Sequence, residues 1–597
     1  MPHTFREHTV SGYQAPLADI DFVLEHIVDL SSISNLNGFS HADPETVSGV
    51  LAEAGRFFSE VIAPTNRIGD QVGSKLVEGS VVTPPGFKEA YAKYAQSGWA
   101  GVHMPEEWGG GGFPYAVGVV LQELFKSANM AFSLCPLLTQ AAIDALLEHG
   151  SDSQRATYLS KLVTGEWAGT MCLTEPHAGS DVGALSTRAV PRGDGTYEIT
   201  GQKIFITWGD QDLTDNIIHL VLARLPNAAP GTKGISLFVV PKFLENGDRN
   251  SYEIVSLEHK LGIHASPTCV VAFERAVGTL VGMEHQGMRY MFTMMNAARL
   301  AVGVEGLAIA ERAYQQAVSY AVERRQGRAI GTDPGESSVI VDHPDIRRSL
   351  MTMRAHIEAM RCLLYSVAAT SDLERHAGSE QERTAAGERV ALLTPVAKAW
   401  STDVGVEMAS LGVQVHGGMG YVEETGAAQH YRDIRIAPIY EGTNGIQAID
   451  LVLRKLPLRD GAVARELFAE MRATVEALDT ELAPLAAPLA AALDTLEGAS
   501  DHLLETLGAG RYNDALAGAT PYLRMFGLTV GGWFMARSAL AARDLLGAGD
   551  DPFLVAKLVT TRFYCTQVLP QAGGLLGAVM SSADDLMVLD PEVLALR

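Results

Sequence analysis

The apolar pattern of this chain changes period twice, and those two switches constrain its fold more than any other feature. Up to about residue 163 apolar residues recur at helical spacing. Within 13–34 they are Leu17, Ile20, Phe22, Val23, Leu24, Ile27, Val28 and Leu30, with Pro16 suited to a helix start; 42–68, 86–97 and 115–163 read the same way. From 166 to about 275 short β-rich runs take over: Tyr197 to Thr200, Ile204 to Thr207, Ile217 to Leu222, Ile235 to Val240 and Cys269 to Phe273, with Asp194-Gly195 as a hairpin signal. From 286 the helices resume and are long, over 286–325, 344–370, 386–415 and 444–455, with a polar connector from Ser371 to Gly387. The pattern predicts an α+β multidomain chain with a helical N-terminal domain, a small antiparallel β domain and a helical bundle. A last stretch, Ala/Leu-rich and broken at Pro484, Pro488 and two Gly-Ala-Gly turns, predicts an additional helical domain. The expected divisions are a 1–40 extension, then 41–165, 166–285, 286–456 and 457–597.

The length of 597 residues is too great for one core. A formal net charge of −24 repels phosphate backbones and anionic lipid surfaces, which argues against general nucleic-acid binding. The five cysteines are scattered and form no CxxC or Cys/His cluster, so neither a metal site nor a disulfide framework is expected, and a reducing, cytoplasmic setting fits. The N-terminal stretch has no apolar signal-peptide core, and no transmembrane segment is expected.

Three stretches bear chemistry. In Ile439-Tyr440-Glu441-Gly442-Thr443-Asn444-Gly445-Ile446-Gln447 a carboxylate stands among apolar residues, where lost water raises its pKa toward the range of a general base. Gly442 leaves room for a ligand near the backbone, although the same residues also read as a plain helix start capped by Glu441 or Thr443. The run Met104 to Phe113 holds four consecutive glycines and predicts a loop with free backbone. Met171 to Asp181 is rich in small polar groups and breakers. It can turn hydroxyls and N–H groups onto a flavin or a phosphate, or form an ordinary Asx/Ser turn.

Taken in chain order, these segments and several others resemble the acyl-CoA dehydrogenase family over about 50–455. The resemblance implies FAD as cofactor and an acyl-CoA thioester as substrate. Glu441 would remove the α-proton, and the β-hydrogen would leave as hydride to flavin N5. The loop Met171, Leu173, Thr174, Gly179 and Ser180 would line the flavin, Thr174 facing its pyrimidine and Ser180 lying between FAD and the thioester. Phe205 stands where the family usually has tryptophan against the flavin ring, Ile206 follows it, and Thr207 matches the donor to N5. Asn296 and Arg299 would line the CoA arm, with Asn296 replacing the usual acid. Ala298 stands where some branches carry the base, so Glu441 has no rival there. In Glu323 to Arg328, Arg324 would reach the FAD pyrophosphate of a neighbouring subunit, beside Gln326; His343 would make a further FAD contact. Gln414, His416, Gly417 and Gly418 would meet the adenosine half, and Tyr440, Gly442 and Thr443 would flank the base. The segments 291–300, 260–269 and 323–328 and the extra C-terminal domain also resemble the enlarged branch of bacterial 3-methylmercaptopropionyl-CoA and fatty acyl-CoA dehydrogenases. The implied partners are an electron-transferring flavoprotein and a second copy of the chain. Competing readings are an acyl-CoA oxidase that uses O2, a DNA-protecting relative disfavoured by the acidic charge, and a nitroalkane oxidase disfavoured by Glu rather than Asp at the base position.

Overall fold

The structure, a computed structural model, describes residues 12–596 apart from 332–334, 336 and 480. The stretch read as lacking a signal core lies mostly outside the described residues. The N-terminal extension is α1 (Leu17–Val23), a further wide turn to Val28, and α2 (Leu30–Ser34); the break falls at Asp29, which is left-handed (φ 58°). The body then begins with α3 (Pro44–Phe57), capped by Asp43, and α4 (Pro64–Val72). A small ribbon of β1 (Lys75–Val77) and β2 (Ser80–Val82) leads to α5 (Phe87–Gln96), α6 (Tyr115–Ala128), α7 (Met130–His149) and α8 (Asp152–Val163). Among the described residues α7 alone is long and apolar enough to cross a membrane, and most of it is buried in the protein.

The middle domain holds β3 (Trp167–Cys172), β4 (Arg188–Pro191), β5 (Tyr197–Thr207), β6 (Asn216–Arg224), β7 (Ile235–Pro241), β8 (Tyr252–Leu257) and β9 (Thr268–Val281). Strands 6, 4, 5, 9 and 7 pair in that order and 7 returns to 6, closing a ring; β3 and β8 pair on its outside. The domain is not purely antiparallel, because β3 runs parallel to β6 and β4 meets β6 in parallel. The Asp194-Gly195 turn does join an antiparallel pair, β4 and β5.

The bundle consists of α9 (Gly287–Glu323), α10 (Pro344–His376), α11 (Glu380–His416), α12 (Ala427–Ile434) and α13 (Asn444–Asp450). Helices α9 and α11 run side by side so closely that a Cβ on Gly306 would stand 2.1 Å from the Ser401 carbonyl oxygen. The expected polar connector 371–387 is almost entirely helix. Ser379 and Glu382 form a reciprocal capping box that starts α11, and Asp372, still on α10, accepts from the N–H groups of Tyr115 and Ala116 at the start of α6. The polar residues there are caps, which a hydropathy pattern reads as loop.

The last region comprises α14 (Ala462–Ala477), α15 (Ala483–Gly508), α16 (Tyr512–Ala517), α17 (Ala519–Leu546) and α18 (Pro552–Phe563), followed by short helical turns. It docks on α10 and α11: the Trp400 ring lies against Gly527, where a Cβ would come within 2.3 Å of it, and Arg524 pairs with Glu407.

Candidate active site

The segment carrying Glu441 is held from several sides. Arg432 donates to Asp70 and Glu423, and Asp433 accepts from the Ile263 N–H, so α12 is tied to the N-terminal and β domains. The chain then makes a turn in which Glu441 (φ 56°) and Gly442 (φ 83°) are both left-handed, a conformation that costs energy for a glutamate unless its surroundings fix it. They do. Lys398 Nζ donates to the Gly442 carbonyl (3.0 Å) and to Asn444 Oδ1 (2.8 Å), and the Asn444 amide donates to Ala399, Thr402 and Asp403. Thr443 Oγ1 accepts from the Ile446 N–H and caps α13. The helix-start reading is therefore right for Thr443 and wrong for Glu441. The Glu441 carboxylate accepts no hydrogen bond among the described residues and its side chain is half-buried. Burial pushes its pKa up to about 7, with the Arg299 and Lys398 charges opposing.

Next to Glu441, the hydroxyl of Tyr440 donates to Glu305 Oε2 at 2.5 Å. Arg299 and Asn296 lie on α9 at a cleft of about 500 Å³ also lined by Arg289, Asp450 and Lys455; Arg299 Nη1 donates to Asn296 and stands 3.8 Å from Asp450.

A second group of expected residues gathers around β5. The Ile204 N–H donates to the Thr174 carbonyl, stitching the Met171–Asp181 loop to that strand. Glu175 fixes the loop: it accepts from the N–H and hydroxyl of both Ser186 and Thr187 and from Lys203 Nζ, which also donates to the Leu173 carbonyl. Burial would raise the Glu175 pKa, but Lys203 and these donors hold it at about 2. A bulge between Lys203 and Ile206 turns Phe205 left-handed (φ 59°) and leaves the residue 57% exposed, beside half-buried Thr207 and buried Ile206. Gly179 and Ser180 are exposed near the loop's end, while Met171 lies within β3.

The third group lies at the C-terminal ends of α9 and α11. Arg324, Gln326 and His343 form a small exposed cluster in which His343 Nε2 contacts the Gln326 carbonyl at 3.0 Å. His416 is buried and stacks on Tyr320, and Gln414, Gly417 and Gly418 are exposed beyond it. The glycine loop at 109–112 is not free backbone, since the N–H groups of Gly111, Gly112 and Phe113 donate to Gly101, Met104 and Val102. Pattern reading missed Lys398, Glu305 and the Glu175–Lys203 pair. Each is a charge inside an apolar or loop-like run, and that oddity is the signal that could have found them. Among the described residues no cluster of three His, Cys, Asp or Glu side chains suits a metal ion.

Four family models match the chain in order: acyl-CoA dehydrogenase N-terminal domain (49–166), middle domain (170–276), C-terminal domain (285–456) and an acetyl-CoA dehydrogenase C-terminal-like domain (467–590). The chain is 48% identical over 588 residues to a 3-methylmercaptopropionyl-CoA dehydrogenase of Ruegeria pomeroyi, covering 96% of this chain and 99% of that one. It is 33% identical to a butyryl-CoA dehydrogenase of Syntrophomonas wolfei, covering 99% of each. Among solved structures, Caenorhabditis elegans ACDH-11 in complex with C11-CoA superposes with a TM-score of 0.77 at 20% identity, over 95% of this chain and 94% of that one. A Bacillus anthracis acyl-CoA dehydrogenase complexed with FAD gives 0.69 at 22%, over 86% and 85%; both likenesses speak to the fold. FAD is the cofactor of the acyl-CoA dehydrogenase family, and the residues present fit it: an aromatic face projects from the β5 bulge beside a hydroxyl, and a pinned loop of small polar groups adjoins it. The chain belongs to the acyl-CoA dehydrogenase family, in a form with an additional C-terminal helical domain, and is an FAD-dependent oxidoreductase acting on acyl-CoA thioesters.

Proposed function

We propose that the chain is a homodimeric acyl-CoA dehydrogenase of the cytoplasm in which Glu441 is the general base, that a short acyl-CoA such as 3-methylmercaptopropionyl-CoA is its substrate, and that an electron-transferring flavoprotein is its acceptor. The observation that carries the mechanism is the fixed left-handed turn presenting a half-buried, undonated carboxylate beside the Arg299 cleft. Arg299 and Asn296 hold the CoA arm in that cleft. The Glu441 N–H donates to no group among the described residues, so it is free to polarise the thioester carbonyl and make the α-proton acidic. The Glu441 carboxylate takes that proton as the α,β double bond forms. FAD, held there, would supply a hydride acceptor for the β-hydrogen. Phe205 would wall the flavin ring, and Thr207, with the Thr174 and Ser180 loop, would offer it hydroxyl donors.

The Arg324, Gln326 and His343 cluster, with exposed Gln414, Gly417 and Gly418 beside buried His416, would serve FAD across a subunit interface. Light scattering of the FAD-loaded protein should give twice the 63.8 kDa chain mass, and a mass near one chain would refute the dimer. The activity is tested by anaerobic flavin bleaching across acyl-CoAs, including 3-methylmercaptopropionyl-CoA. A yellow protein that bleaches, reoxidises slowly in air and quickly with electron-transferring flavoprotein supports the reading; rapid reoxidation by O2 makes it an oxidase.

A further inference from the structure

Three lysines are fully buried, and one of them lacks a counter-ion. Lys203 pairs with Glu175, and Lys557 pairs with Asp19 and Glu358. Lys398, in the middle of α11, forms no ion pair among the described residues. Its Nζ has two neutral acceptors, the Gly442 carbonyl (3.0 Å) and Asn444 Oδ1 (2.8 Å), so one N–H is unused. Burial of an ammonium on such terms is costly unless its charge is used. The charged groups that face it are Glu441 itself, Glu305 and Arg299 on α9, and Asp403 on its own helix.

The two acceptors belong to the left-handed turn at Glu441 and Gly442. The Gln447 amide stands 3.3 and 3.4 Å from the carbonyls of those two residues, and Lys398 takes the second of them as well. Asn444 is anchored in turn on Ala399, Thr402 and Asp403, so both halves of the clamp stand on one helix. We propose that Lys398 is a positioning residue of the reaction: with Asn444 it clamps the turn that carries Glu441, and its unmatched positive charge favours the carboxylate form of that base. The proposal rests on Glu441 as the base. The clamp acts on the rate, because a misplacement of about 1 Å can cost about 10²-fold. The charge acts on the proton. Burial raises the Glu441 carboxyl, and Arg299 and Lys398 oppose it, so loss of Lys398 raises it further. A turn that merely loosened would let water reach the carboxylate and lower it instead.

The test is anaerobic flavin reduction by 3-methylmercaptopropionyl-CoA on the FAD-loaded full chain, followed against substrate concentration and pH. Lys398→Met keeps the reach of the side chain and loses donor and charge. It should lower the limiting rate by about tenfold to 10²-fold with the half-saturating concentration little changed, and move the midpoint of the rise of rate with pH upward. Asn444→Ala removes the other half of the clamp and keeps the ammonium, so it should lower the rate and leave the midpoint in place. A wild-type limiting rate in FAD-loaded Lys398→Met overturns the clamp, and a midpoint that stays or moves down overturns the use of the charge. Where Lys398→Met does not hold FAD, a wild-type rate in Asn444→Ala overturns the proposal. Near-normal turnover of Glu441→Gln removes the base and this proposal with it, whereas an inactive Glu441→Gln beside an unaffected Lys398→Met refutes this proposal alone.

Discussion

Two groups of buried ionisable residues lie in the helical body, and their environments differ in one respect: the supply of donors. In the first, Arg361 donates to Glu123 (2.6 and 3.1 Å), to Glu311 (2.9 Å) and to Asp19. Tyr365 donates to Glu123, and Lys557 donates to Asp19 and Glu358. Burial would raise the Asp19 pKa, but Lys557 and Arg361 hold it at about 2; Glu123 alone stays raised, by burial. In the second, Glu441 has no donor and Glu305 has one. Burial pushes both carboxyls up to about 7, and it lowers Lys126 and Lys398 to about 8. In the first group Asp19 is held in its charged form, and the group joins three parts of the chain. The second can take up and release a proton near neutral pH, as a base must.

The contrast can be broken at its sharpest point by Glu441→Gln. Flavin bleaching by acyl-CoA should fall by about 10²–10⁴-fold or more with FAD content retained, and near-normal turnover would remove Glu441 from the mechanism. Arg361→Met should act the other way. By removing the one guanidinium that Glu123, Glu311 and Asp19 share, it should cost about 3–5 kcal/mol in urea unfolding, while folded protein bleaches at nearly the wild-type rate. A loss of activity without a loss of stability would mean the two groups are not separate.

The pH dependence sharpens the same contrast. With a base pushed up to about 7, kcat/KM should rise as pH increases through that value and then level. The native state holds the Glu441 proton where the unfolded chain has lost it. That stability is full below the unfolded carboxyl value and is lost as pH rises through about 7. Asp19 has the opposite sign: its contribution is present above the unfolded value and disappears as pH falls through about 2. Glu441→Gln should therefore gain more melting temperature over wild type at pH 8 than at pH 5, and an equal gain at both would contradict the raised carboxyl. The smallest effect expected is at β5. Thr207→Val should slow flavin reduction several-fold to about tenfold, the worth of one hydrogen bond, with ligand affinity little changed. Phe205→Ala should instead loosen FAD. Similar behaviour of the two would misplace the strand against the flavin.

The order of helices, β domain and long helices was legible because each has its own period over many residues. The Glu441 segment stood out through its resemblance to the family, since its own residues read equally as a plain helix start. What escaped was set by partners distant in sequence. Asp372 looks like loop until the α6 N-terminus is placed against it, and β3 looks like loop because Met171 runs straight into the breakers that follow. The parallel β3–β6 pairing depends on how the strands cross. Lys398 and Glu305 appear as lone charges in apolar helices, and only their packing against the 440–444 turn gives them work.

The bond between Lys557 and Asp19 joins residues 538 positions apart. Such a contact sets an order of events on the ribosome. Asp19 leaves the ribosome 538 residues ahead of Lys557, the cation that neutralises it. Until α18 is made, docking α1 would bury an acid one donor short, so the N-terminal helix is expected to stay loose and close over the bundle last. Limited proteolysis of a chain ending before Pro552 would reveal this as cleavage near α1. The extra domain thus works as a fastening for α1 as well as a cover for the bundle.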